Sequence, residues 1–251
     1  MGQSSNTTNE LKKLLGQNLT FSVREFVICR PRIYFKILPF LQKDLSSVVN
    51  RDTEMVISGI WGCANTFAAA SFARGQPEVS LSHHLHIPAQ VIQAARLNIP
   101  CLVLVRNPTD AIASIATRGG VEFSINGFRW PMKEYALFYE SILKYRKHYV
   151  VAQFKEVVTN FPVAIQRVNE RFGTHFRVSD NDSDEAKRIV AQAVQGVPRF
   201  CTTEDVKKIL QAPELAEYRI RAETAYDNFC AANDVPLPQD ITHPEAAHGT
   251  D

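Results

Sequence analysis

Apolar positions along the chain change their period several times, and each change predicts an element. EMVIS (54–58) is a short apolar run followed by a glycine-containing loop and an alanine-rich stretch that predicts a helix from near Asn65. EVSL (78–81) predicts a second strand, and YVVAQF (149–154) a late one. The clearest strand is CLVLV (101–105), apolar at every position, as a strand covered on both faces of a parallel sheet should be. Between these runs the period lengthens. Tyr135, Phe138, Tyr139, Ile142, Leu143 and Arg146 recur at three and four and predict an amphipathic helix over 132–147. Ile165, Val168 and Phe172 mark the next, with Gly173 placed to end it. Ser183 can cap a helix carrying Ile189, Val190, Ala193 and Val194 and closed by Gly196. Leu215, Tyr218, Ala222, Tyr226 and Phe229 line a last helix.

Strands alternating with helices predict an α/β fold, a three-layer αβα arrangement around a central parallel sheet whose ligands lie beyond the carboxyl ends of the strands. One domain is expected over 51–235. A polar tail and an amphipathic segment packed on that domain precede it (1–50), and a Pro-rich, polar, loose tail follows (236–251).

Composition narrows the function. With 251 residues, 45% of them hydrophobic, the chain can bury a substantial core, and a net charge of +2 argues against nucleic acid as the main partner. The five cysteines are scattered and never form a Cys-x-x-Cys pair, which reads as reduced thiols in a cytoplasmic protein. No run approaches the length of a membrane span, and the polar opening MGQSSNTTNE predicts no leader or lipid anchor. Residues 24–42 mix aromatics with Arg and Lys. They suit either a face docked on the core or a peripheral contact with lipid.

Three loops carry the chemistry. SGIWGCANTF (58–67) sits where an α/β protein places a phosphate loop. Against G-x-x-x-x-G-K-[ST], the first glycine (Gly59) and the hydroxyl (Thr66) fit, but Ala64 replaces the second glycine and Asn65 the lysine. Without that lysine, ATP or GTP hydrolysis is not expected, whereas N–H groups at the helix start can still hold an anion. SHHLHIP (82–88) brings three histidines together; no cysteine or carboxylate joins them at ligand spacing, so no metal is expected, and a histidine here can serve as a general base. In LVLVRNPTDAIAS (102–114), Asn107, Pro108 and Asp110 are helix-start grammar. Arg106 and Ser114 are not, and a guanidinium with a hydroxyl above a strand end makes a phosphate site.

Taken together, these loops resemble the sulfotransferases that use 3′-phosphoadenosine 5′-phosphosulfate (PAPS). Arg106-Asn-Pro-Thr-Asp with Ser114 is similar to that family's 3′-phosphate motif. CANTF resembles its Ser-Gly-(Thr/Asn)-Thr-(Trp/Phe) loop, HLHIP its Lys-Thr-His-Leu-Pro segment, and VVAQFKEVV the strand and turn that often read Tyr-Glu-Asp-Leu. The pieces fall in the family's order over roughly residues 54–175. The resemblance implies a P-loop-like sulfotransferase domain over 51–235 and transfer of a sulfuryl group from PAPS, as co-substrate, to a hydroxyl or amine on a small-molecule, glycan or lipid acceptor. It implies His86 as catalytic base. It also implies Cys63, Ala64, Asn65, Thr66 and Phe67 around the 5′ side and adenine, and Arg106 with Ser114 on the 3′-phosphate.

The chain departs from the family at Gly62, where Lys or Arg is usual, at Cys63 and Ala64, and at His84, which stands in a lysine position. Arg74, Arg118 and Arg199 are candidate replacement cations. The segment RGGVEFSINGFRW (118–130) is either an acceptor-side lid or a plain surface loop. Two rivals follow. A kinase-like phosphoryl transferase needs a loop lysine and magnesium ligands, neither of which is visible. A non-catalytic binding or scaffold protein would keep the fold and lose the chemistry, and Gly62 and Ala64 favour it.

Overall fold

A computed structural model describes residues 21–41, 44–178, 188, 191 and 201–235. Its centre is a parallel sheet of four strands, β1 (Met55–Ser58), β2 (Leu81–Ser82), β3 (Cys101–Val105) and β4 (Val150–Gln153), in the order β2-β1-β3-β4. Val56 pairs with Cys101 and Leu102 with Val150, so β3 is central, and every one of its residues is buried. That is why its sequence reads as an unbroken apolar run. Among the described residues, helices surround the sheet or extend from it: α1 (Phe21–Ile28), α2 (Pro31–Leu41), α3 (Asn65–Gly75), α4 (Pro88–Leu97), α5 (Pro108–Ala116), α6 (Ile125–Ile142), α7 (Phe154–Phe172), α8 (Thr203–Leu210) and α9 (Ala216–Ala232), with a 3-10 extension of α6 over Leu143–His148 and a 3-10 turn over Pro213–Leu215 before α9. Helices α3 and α7 pack together on one face; α4 and α6 pack on the other, with α9 outside α6. The fold is α/β, with helices on both faces of a parallel sheet.

The strand order sets the site. The chain leaves β1 towards β2 on one side and returns past β1 to β3 on the other. The connections therefore diverge between β1 and β3, and a crevice opens at their carboxyl ends. Two tyrosines of α6 brace that edge. Tyr139 Oη donates to Leu104 O at 2.8 Å, and Tyr135 Oη donates to Arg106 O. Both rings are fully buried, Tyr139 packing against Tyr135, Phe138 and Phe229. A second cluster, Ile112, Ala116, Phe128, Met132, Val206 and Leu210, fastens α5 to α6 and α8.

Several expectations are corrected. The second strand is Leu81–Ser82, not 78–81, because Pro77–Val79 form a turn closed by Val79 N to Gln76 O. The helix expected over 132–147 begins at Ile125, where Ser124 Oγ accepts from Gly127 N, and is α-helical only to Ile142. Pro131 falls within it. Residues 125–130 of the segment 118–130 are therefore helical rather than loop. Helix α4 begins in what read as a histidine loop, with Pro88 at its first turn, and α8 carries a full Thr202/Asp205 capping box. The helix expected after Ser183 lies outside the described residues except at positions 188 and 191, both helical, and the tail after 235 lies outside them.

Candidate functional site

The loop after β1 is built by two left-handed residues. Gly62 has φ +80° and Ala64 φ +68°, which turns the chain from β1 into α3. A Cβ on Gly59 would lie 2.7 Å from Leu104 O, and one on Gly62 only 2.3 Å from Ala111 O, so the loop is pressed against β3 and α5. Ala64 holds a left-handed position that favours glycine, which matches the second glycine of a phosphate loop in conformation though not in identity. No side chain caps α3, leaving its first-turn N–H groups to the crevice.

The predicted loop residues divide. Cys63 is buried, its Sγ 3.5 Å from Tyr139 Oη, and burial pushes its thiol up to about 12. Phe67, 4% exposed, belongs to the sheet core. The Asn65 side chain turns inward, Nδ2 donating to Ile60 O at 2.9 Å. Only Thr66 presents its side chain outward, with Oγ1 3.2 Å from His84 Nε2. Two buried polar atoms at this point, Ser58 Oγ and Asn65 Oδ1, have no partner.

His83, His84 and His86 follow β2 and pack edge to face against one another. His84 and His86 both have positive φ, +62° and +52°, an uncommon geometry for side-chain-bearing residues. His86 Nδ1 lies 2.8 Å from Gly59 O. A carbonyl only accepts, so Nδ1 carries the hydrogen and Nε2 keeps a lone pair, the tautomer a general base needs. Burial lowers the His86 pKa, the Gly59 bond opposes that, and His83 adds to it. Burial and the flanking imidazoles bring His84 to about 4. At neutral pH this cluster is uncharged.

Positive charge comes instead from β3 and α5. The Arg106 guanidinium carbon lies over the Phe154 ring, 3.8 Å from its centroid, and Arg106 donates from Nη1 to Gly62 O at 3.1 Å. Ser114 does not meet Arg106 directly. Arg118, one turn further along, donates from Nη2 to Ser114 Oγ at 3.1 Å and from Nε to Ser114 O at 2.8 Å. Arg118 is held below the usual guanidinium range by burial and by repulsion from Arg106. The two arginines thus share one field, and among the described residues neither has a carboxylate partner. Asp110, the nearest acid on α5, is paired with Lys207 at 2.8 Å. A cavity of about 290 Å³ opens beside Arg106, its lining including Asn107, Asp110, Gln153, Phe154, Lys155 and Tyr226 but not Arg118. Of the other candidate cations, Arg74 stands at the far end of α3 and Arg199 lies outside the described residues.

Phe154 and Lys155 were missed by sequence reasoning, although they directly follow a predicted strand, where ligands of such sheets bind. Also missed was the stack of Trp61 on Trp130, 5.8 Å between centroids, which joins the β1 loop to α6. No group of His, Cys, Asp and Glu able to hold a metal occurs among the described residues. No protein-family model, curated protein or solved structure matches this chain.

Proposed function

We propose that the crevice beyond β1 and β3 binds a nucleotide carrying a 3′-phosphate, and that the chain is a PAPS-dependent sulfotransferase. The observation that carries the reading is the Arg106–Arg118 pair. Two guanidiniums repelling each other without a carboxylate, one of them held by Ser114, gain from a bound dianion. His86 supports the transfer step. Its Nε2 takes the proton of the acceptor hydroxyl or amine as that atom bonds to sulfur. The bond from sulfur to the 5′-phosphate oxygen breaks, and adenosine 3′,5′-bisphosphate leaves with the electron pair. The uncapped start of α3 and Thr66 face the charge that grows on that leaving group.

Binding without transfer is the second reading. It is favoured by Gly62, whose backbone leaves no room for the cation that usually neutralises the leaving oxygen. The experiment is a calorimetric titration with adenosine 3′,5′-bisphosphate followed by a labelled-sulfate transfer assay. Charge-assisted bonds of this kind contribute about 1.5–3 kcal/mol, so Arg106→Ala and Arg118→Ala should each weaken binding about 10- to 150-fold. Absence of binding by the wild type, or equal binding by Arg106→Ala, sinks the nucleotide site. Binding with no transfer supports the second reading, and transfer that survives His86→Ala removes His86 as the base.

A further inference from the structure

The first two helices carry a surface that the core does not use. Ile28 and Leu38 point inward, Ile28 against Ile87 and Ala89. Outward, Val23 and Phe26 stand on α1 with Arg30 just beyond its end, and Arg32, Lys36 and Phe40 recur along α2. Val23 is 47% exposed, Phe26 49% and Phe40 59%, a high exposure for aromatic side chains. Arg30 sits 3.5 Å above the Phe26 ring, so cation and ring stand together. Glu25 is the sole carboxylate in residues 21–41, and it lies outside both stripes.

We propose that the α1–α2 hairpin docks on an anionic lipid surface. Phe26 and Phe40 enter the boundary between headgroups and acyl chains, and Arg30, Arg32 and Lys36 face the acidic headgroups. A purely solvated face would not display the two phenylalanines, and a face awaiting another apolar surface would not alternate them with cations. The whole chain has a net charge of only +2, too small a field to gather a polyanion by charge alone, so a partner offering both apolar depth and negative charge fits best. Alongside, α2 walls an apolar groove of about 400 Å³ lined by Phe35, Leu38, Leu45, Val48 and Leu97, with Arg51 among its lining residues. No helix among the described residues is long and apolar enough to cross a membrane, so the contact is peripheral.

The proposal stands apart from the transferase reading and is tested with the full chain. Flotation with phosphatidylcholine vesicles, with and without phosphatidylserine, should show binding only when the acidic lipid is present, and binding should weaken with added salt. Each basic side chain near such a surface contributes about 1 kcal/mol, so Arg32→Gln/Lys36→Gln should bind about 30-fold more weakly. Phe26→Ser/Phe40→Ser should lose binding with an unchanged melting temperature, since both rings are exposed. Arg106→Ala should bind vesicles as the wild type does. Equal binding to both vesicle types, or full binding by either double variant, overturns the proposal. So does binding to heparin or RNA without binding to vesicles.

Discussion

Placing a lysine at position 62 would restore the residue usual in the resembled family, and the structure predicts that it damages the protein. Gly62 has φ +80°, where a residue with a Cβ costs about 1–2 kcal/mol. The new Cβ would also lie 2.3 Å from Ala111 O, a backbone atom of α5 that cannot swing aside as a side chain could. Forcing a packed neighbour to yield costs about 1–3 kcal/mol. Gly62→Lys should therefore lose about 2–5 kcal/mol, which for a chain of this size lowers Tm by about 4–20 °C. Calorimetric melting of Gly62→Lys beside Gly62→Ala is the assay. Both costs begin at the Cβ, so the alanine variant should lose nearly as much as the lysine variant. Ligand affinity should fall as well, because Arg106 Nη1 donates to the Gly62 carbonyl and would be displaced with it. A Gly62→Lys protein melting within about 1 °C of the wild type would refute the reasoning.

Two further outcomes are expected. Asn107 Oδ1 accepts from Thr109 N at 3.0 Å and starts α5; Asn107→Ala should cost about 1 kcal/mol, or about 2–4 °C in Tm, and an unchanged melting curve would show that the cap contributes nothing. The depressed histidines make stability pH-dependent. Above pH 6.5 they are neutral in both states. As pH falls towards about 4 the unfolded chain binds a proton that folded His84 does not, and the lowered pKa of His86 acts in the same direction, so the urea midpoint should drop across that window, and His84→Gln should flatten the drop.

Much of the sheet was legible because β3 and β1 are buried on both faces, which leaves a continuous apolar signature in CLVLV and MVIS. The two-residue strand β2 has too little pattern to place, and its register depends on pairing Met55 with Leu81. Helix α4 was hidden because Pro88, Ala89 and Gln90 are all buried, so a polar side chain interrupts its inward face; Gln90 donates to Ser47 O at 3.3 Å. In the site, Arg106 could be read from the sequence because a charge directly after a buried strand needs a reason. Arg118 could not be assigned, because only the geometry of α5 brings it back to Ser114. Nor could sequence tell that Cys63, Asn65 and Phe67 face inward, since Cys63 lies between two left-handed residues and Asn65 and Phe67 sit in the first turn of α3, before a helical period has built up.

The bond from His86 Nδ1 to Gly59 O has a mechanistic meaning on the transferase reading. Gly59 opens the very loop that would receive the phosphosulfate, so the imidazole takes its orientation from the loop rather than from its own strand. The position of the loop and the aim of the base are thereby tied together. On that reading the base is aimed before any nucleotide arrives, and a substitution that displaced Gly59 would misdirect His86 without touching its ring.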